Sequence, residues 1–355
     1  MQRHRWRLLL AAAAFLLSVA GGPARAQDYK PEYRLSVMPD ATSPWGRGAQ
    51  IWADLVRQRT KGRIKIRLYT GASLVGGDQT REFAALRQGV IDMAVGSTIN
   101  WSPQIPEFNL FSLPFLLRDA HSMDAIMHGE VGRELFARIE EQGVVPLAWG
   151  ENGFRELSNS RRPIRTPEDM RGLRFRVVGS LLFNDIFTAL GAYPTQMNWS
   201  QVLPALKSRE IDGQENPISI YCSAKLFNFG QRYVTLWDYM ADPLVFVVNR
   251  QVWDSWTARD QEIVREAAID AAHLEVSLER DDTLDSGQTV WQAMAKRGVK
   301  VTRLTPAERQ RFVDATRPVY LKWKVLIGRD LVTEAEREVA QATRREASVQ
   351  KRAAR

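Results

Sequence analysis

Two arginines stand on one short apolar run. Residues 170–180 read MRGLRFRVVGS, with Arg174 and Arg176 among Leu173, Phe175, Val177 and Val178. A guanidinium is a rigid planar fork of donors, and it matches a carboxylate through two parallel hydrogen bonds. On a strand that faces a cleft, such an arginine would hold an organic acid. On a wet face it would only solvate the strand. Alternation places both arginines on one face and leaves the two readings open. The other reactive side chains suggest less. Cys222 is the one cysteine, so no intramolecular disulfide forms, and it reads as a small buried side chain. His121, His128 and His273 lack the spacing that clamps a metal on one helix face and read as structural or surface residues. Asp212 and Glu215 resemble a catalytic acid pair, yet two carboxylates would repel a carboxylate ligand. They read as loop and hinge residues. No G-x-S-x-G, H-E-x-x-H or phosphate-loop pattern occurs, so a secreted hydrolase is a weak alternative.

The elements that must position these residues follow a βα rhythm. Residues 33–38 read as a strand and 44–58 as a helix with Trp45, Ile51, Trp52 and Leu55 on its apolar side. Residues 64–69 form a second strand, 71–78 a glycine-rich turn, 80–88 a helix and 91–95 a third strand. This alternation predicts an α/β fold with a parallel sheet. Residues 119–142 read as helical with a break at Gly129, and 144–149 as a strand. Thr166-Pro167-Glu168-Asp169, Thr257-Ala258-Arg259-Asp260 and Thr305-Pro306-Ala307-Glu308 each place a capping threonine three residues before an acid, which predicts three helix starts. Apolar periodicity from Ala258 to Lys296 predicts one very long helix, bent near Gly287 or shared between two domains.

The ends carry different information. Arg3, Arg5 and Arg7 precede the apolar run 8–20, and Ala24-Arg25-Ala26 is a small-x-small site. This predicts a secretory leader over residues 1–26 with cleavage after Ala26, hence a periplasmic protein. A chain of 355 residues is long for one core and predicts two domains. The formal charge of +8 sits at the ends. The leader holds four arginines and no acid, and residues 343–355 hold five basic residues and one glutamate. The near-neutral body argues against a nucleic-acid partner. The basic tail reads as a disordered, solvated end.

Five ordered motifs carry a resemblance. Ile91-Asp92-Met93-Ala94 follows a helix ending at Gly89. Then come Phe111-Ser112-Leu113-Pro114-Phe115-Leu116, and Glu151-Asn152-Gly153-Phe154-Arg155 ahead of Arg162-Pro163-Ile164. The arginine strand follows, and last Asp212-Gly213-Gln214-Glu215-Asn216-Pro217. In this order they resemble the solute-binding proteins of TRAP transporters, the DctP family. The resemblance implies a two-lobed periplasmic binding fold with a long helix spanning both lobes. It implies lobe I over 27–152 and 242–281, and lobe II over 153–241 and 282–342. An organic acid, such as a C4-dicarboxylate, uronate or aldonate, would lie between the lobes. Arg176 would pair with its carboxylate and Arg155 would assist. Asn216 would donate to it and Trp199 would pack on it, while Ser97 and Asp40 would line the first lobe. Arg174 would stay outside the site. No catalysis, cofactor or metal is implied. The implied partners are the small and large membrane subunits, with the binding protein itself monomeric. A sensor that signals to a membrane receptor would share the same fold and site. The chain departs from the family at Gln196, Gln201, Leu203 and Pro204. It also carries Pro39 and Ser97 where binders of amino sugar acids carry Asn and Glu.

Overall fold

The computed structural model describes residues 29–281 and 287–353. The leader expected over residues 1–26 lies outside the described residues. Eleven strands are described: β1 (Tyr33–Val37), β2 (Ile66–Tyr69), β3 (Met93–Ser97), β4 (Val144–Phe154), β5 (Glu156–Asn159), β6 (Arg174–Val177), β7 (Tyr193–Gln196), β8 (Gly213–Asn216), β9 (Tyr233–Leu236), β10 (Ala241–Asn249) and β11 (Lys300–Arg303). They form two sheets, β2-β1-β3-β10-β4 in lobe I and β11-β9-β5-β8-β6-β7 in lobe II. In lobe I, β1 runs parallel to β2 and β3, and β10 runs antiparallel to β3 and β4. In lobe II, β6 runs parallel to β7 and β8, while β5 is antiparallel to β8 and β9.

Local chemistry explains the first βα units. Ser43 caps the helix Pro44–Arg59 by accepting from Gly46 N, Pro44 opens it, and Arg57 and Arg59 close it. Each satisfies or complements a helix end. The helix buries Trp45, Ala49, Trp52, Ala53 and Val56. Trp52 sets its ring edge-on to Phe246 at 5.4 Å and donates to Val264 O at 3.2 Å. The helix is thereby fixed to both β10 and the helix Ala258–Arg280.

Two of the chain's crossings between the sheets run side by side. β4 leaves lobe I and passes through Arg155 into β5, while β9 returns through residues 237–240 into β10. The crossings are bonded together, with Ala241 opposite Phe154 and Arg155 N donating to Met240 O at 3.2 Å. Trp237 and Tyr239 lie in the returning segment with ring centroids 4.0 Å apart. Phe187 of lobe II and Phe312 of the C-terminal region pack against Trp237 at 6.2 and 5.5 Å. A fully buried aromatic hub thus sits beside the hinge, and one apolar core runs through both lobes.

Four expectations change. The predicted long helix ends at Arg280, and Val290–Lys296 is a separate helix. Its own start signal explains the break: Thr289 and Gln292 form a reciprocal capping box, and Gly287 has φ +71°. The Thr166 start opens only a 3₁₀ turn, Pro167–Met170, because the chain turns at Gly172 to feed β6. The C-terminal segment expected to be disordered continues the helix Arg329–Ala353, although residues 343–345 remain exposed. Residues 329–342, expected in lobe II, pack on the lobe I helix Ala120–His128, and Glu338 accepts from Glu130 N at 2.7 Å to cap the next helix.

Candidate functional site

The strand that carries the arginines buries every residue but its first. Arg174 opens β6 at the sheet's rim, where its Nε donates to Asp212 Oδ2 at 3.1 Å and its Nη2 to Arg209 O at 2.7 Å. It is the exposed residue of the strand, and Phe175, Arg176 and Val177 are buried. Face parity alone therefore misleads. Arg174 has a carboxylate at the rim, and the loop after β7 covers Arg176.

Arg176 is 1% exposed. Its Nε donates to Met197 O at 2.9 Å, and its guanidinium lies 5.8 Å from the Trp199 ring centroid. Among the described residues it has no carboxylate within ion-pair distance. Burial pulls its pKa down to about 10, with Glu215 opposing this and nearby Arg155 adding to it. The group stays charged near neutral pH. A buried cation without a counterion is unfavourable, because desolvation removes hydration that nothing replaces.

Arg155 is the opposite case. It emerges from the hinge fully buried, with Glu215 on Nε and Nη2, Asp242 on Nη1 at 2.7 Å and Asn216 Oδ1 at 3.0 Å from Nη2. Burial alone would lower its pKa; Glu215 and then Asp242 more than offset this, and the pKa rises. Asp242 also accepts from Ser97 Oγ at 2.5 Å and Asn152 Nδ2 at 2.7 Å. One network therefore ties β3, β4 and β10 of lobe I to β8 of lobe II.

Both arginines face one cavity of about 80 Å³ between the lobes. All six residues singled out in the sequence, Arg176, Arg155, Asn216, Trp199, Ser97 and Asp40, lie in its wall. Their environments differ. Asn216 gives one amide hydrogen to Gln214 Oε1. Ser97 is committed to Asp242, and its Oγ caps the helix Thr98–Trp101 by accepting from Ile99 N. Asp40 is exposed at the rim, where its carboxylate accepts from Thr42 N at 2.9 Å. Asp212 and Glu215, read as loop and hinge residues, are the partners of Arg174 and Arg155.

Sequence reasoning missed Gln79, Asn100 and Asp242 in the same wall. Asp242 carried a readable signal, an acid near the start of the otherwise apolar stretch ADPLVFVV. Gln79 and Asn100 carried none, since one sits in a 3₁₀ turn and the other on a four-residue helix. Met38, Val178, Ile220 and Ala224 supply the apolar part of the wall. Cys222 is half-buried outside this cavity, and burial pushes its thiol up to about 11, which makes it a poor nucleophile. Among the described residues, no group of His, Cys, Asp and Glu is arranged to hold a metal ion. The arrangement provides one uncompensated cation, several amide and hydroxyl groups, and an apolar flank.

Comparison with known proteins gives a consistent picture. The model of bacterial extracellular solute-binding protein family 7, DctP, matches residues 35–325. A solved TRAP periplasmic solute-binding protein from Ralstonia eutropha H16, with bound (S)-2-acetolactate, is 59% identical with a TM-score of 0.86, covering 88% of this chain and 100% of that one. The 2,3-diketo-L-gulonate-binding periplasmic protein YiaO of Escherichia coli K12 is 33% identical over 75% of this chain and 79% of its own. The C4-dicarboxylate-binding periplasmic protein DctP of Rhodobacter capsulatus is 27% identical over 94% of this chain and 97% of its own.

Proposed function

This chain belongs to the DctP family of bacterial extracellular solute-binding proteins, and from that premise we propose that it captures a small organic acid on Arg176 in the periplasm and delivers it to the membrane subunits of a TRAP transporter. One observation carries the reading: Arg176 is a buried cation that faces the interlobe cavity without a carboxylate of its own. A ligand carboxylate supplies the missing anion and takes two charge-assisted hydrogen bonds. Trp199 covers the guanidinium, and Asn216 contributes an amide hydrogen.

The surroundings of Arg155 narrow the class of acid. Glu215 and Asp242 more than offset its charge, which leaves Arg176 as the guanidinium in the wall that a ligand carboxylate can pair. That favours one carboxylate over two. Met38, Val178, Ile220 and Ala224 suit a branched alkyl group, and the amides suit hydroxyl or keto oxygens. A branched 2-hydroxy-3-oxo monocarboxylate such as (S)-2-acetolactate, the ligand held by the Ralstonia protein, meets each requirement.

The test is a thermal-shift and calorimetric series on the purified protein with (S)-2-acetolactate, succinate and D-glucuronate. A ligand at a hundred times its Kd adds about 2.7 kcal/mol of stability. The expected order places acetolactate first. Arg176→Lys replaces a fork by a point charge and should weaken binding at least about tenfold, or ~1.4 kcal/mol. Unchanged affinity in that variant would remove Arg176 from the site.

A further inference from the structure

The lobes meet along a narrow rim opposite the hinge. Ser180 Oγ of lobe II donates to Asn109 Oδ1 of lobe I at 2.7 Å, and Ser200 Oγ reaches Gly77 O at 3.4 Å. Gly179 of lobe II approaches Thr80 so closely that a Cβ there would lie 2.5 Å from Thr80 Cγ2. Away from the Arg155–Asp242 pair at the hinge, a further contact bridges the lobes inside the cavity wall. Trp199 N donates to Gln79 Oε1 at 2.9 Å. Gln79 is 4% exposed, and its Nε2 donates to Asn100 Oδ1 at 2.8 Å.

This chain of amides has a fixed sense. A backbone N–H can only donate, so the Gln79 atom facing Trp199 must be its oxygen. The Gln79 amino group must then face Asn100, and Asn100 must turn its own oxygen toward it. Among the described residues, Asn100 Nδ2 is left without a protein partner in the cavity wall. Opening of the lobes would carry Trp199 N away from Gln79 and leave neither amide held in this sense. Trp199 also carries the indole that lies on the Arg176 guanidinium. The same backbone position that orients Gln79 therefore places the ring over the carboxylate clamp.

We propose that Gln79 is a closure latch: by accepting Trp199 N–H it locks the lobes together and turns Asn100 into a hydrogen-bond donor for an oxygen of the bound acid. This rests on the reading of Arg176 as the carboxylate clamp and adds to it a residue that acts only after closure. Encounter with the open cleft uses Arg176, whereas retention uses Gln79. The ligand group that meets Asn100 is an acceptor, a keto or hydroxyl oxygen at the end away from the carboxylate.

The test uses stopped-flow binding of (S)-2-acetolactate to full-length mature protein, with Gln79→Ala, Asn100→Ala, the double variant and Arg176→Lys. Gln79→Ala should raise the dissociation rate about tenfold, the worth of two modest hydrogen bonds, and leave the association rate within about twofold. Asn100→Ala in the Gln79→Ala background should add little, because the donor is no longer oriented. The urea midpoint of Gln79→Ala should fall more with saturating acid than without it, which a purely structural glutamine would not produce. An unchanged dissociation rate, equal changes in both rates, or multiplicative losses in the double variant would overturn the latch. If Arg176→Lys also binds normally, or the wild type does not bind the acid, the clamp reading falls and the latch with it.

Discussion

Replacing Arg176 with methionine should make the ligand-free protein more stable and blind to its acid. Burial pulls the group's pKa well below the usual guanidinium value, to about 10. At ~1.36 kcal/mol per unit, holding the charge in place costs about 3 kcal/mol. The sign is fixed by the direction. A base whose folded pKa is depressed is penalised in its charged form; at pH 7 both the folded and the unfolded chain carry the charge. The whole cost is therefore present there and fades only as pH rises beyond the folded value. Methionine removes that cost and fills the space with a flexible apolar chain. It also loses the hydrogen bond to Met197 O, worth about 1 kcal/mol, and the contact with Trp199, worth roughly 0.5–1 kcal/mol. The net expectation is a gain of about 1–2 kcal/mol in urea unfolding without ligand, and no further shift with acetolactate. Loss of stability without ligand, or a retained ligand shift, would refute the claim that Arg176 is held uncompensated for binding.

Two further perturbations probe the scaffold. Glu82 is buried, accepts from Ser36 Oγ at 2.6 Å and Trp101 Nε1 at 3.1 Å, and burial raises it from 4.5 to about 7. The folded state keeps a proton that the unfolded chain releases, so stability falls as pH climbs from 4.5 to about 7 and is level above. Glu82→Gln should remove up to about 3 kcal/mol of that decline, read as a flatter thermal midpoint against pH than wild type shows; parallel curves would contradict it. Glu215→Gln leaves Arg155 with Asp242 as its remaining carboxylate and should cost about 3–5 kcal/mol in urea unfolding while acetolactate still binds through Arg176. Intact stability would show that the Arg155–Glu215 pair is not a strut.

What could be read from the sequence follows the range of each interaction. The βα units were legible because period and capping are local: Ser43, Pro44 and the apolar face of one helix suffice. Arg176 became legible through the order of five motifs, not through its own strand, whose alternation could not separate it from Arg174. The separation depends on Asp212, which lies across the sheet in the strand register and far along the chain. The same holds for Arg155. Its partners Glu215 and Asp242 come from β8 and β10, and no local pattern says that they converge. Gln79 was illegible for a further reason. Its role exists only when two lobes meet, and a 3₁₀ turn beside a glycine-rich loop carries no periodicity to mark it. The long helix was overread because apolar spacing happened to continue past Arg280, while the capping signal at Thr289 was the better guide.

The two buried arginines differ in charge balance, and on the proposed reading that difference separates a structural role from a binding role. Arg155 has two carboxylates, so it is satisfied at all times and fixes the strands of both lobes at the hinge. Arg176 has none, so its comfort depends on whether the cleft is open. In the open state water can hydrate it. Closing without ligand would strip that water and leave a lone cation in a low-dielectric cavity, which opposes closure. Closing on a carboxylate buries a neutral pair instead, and the Gln79–Trp199 bond then adds to the closed state. The ligand thus has the differential affinity for the closed form that any population shift requires. An uncharged analogue of the same shape would lack it. On the proposed reading of Arg176, selectivity for an acid and the coupling of binding to closure would arise from the same missing counterion.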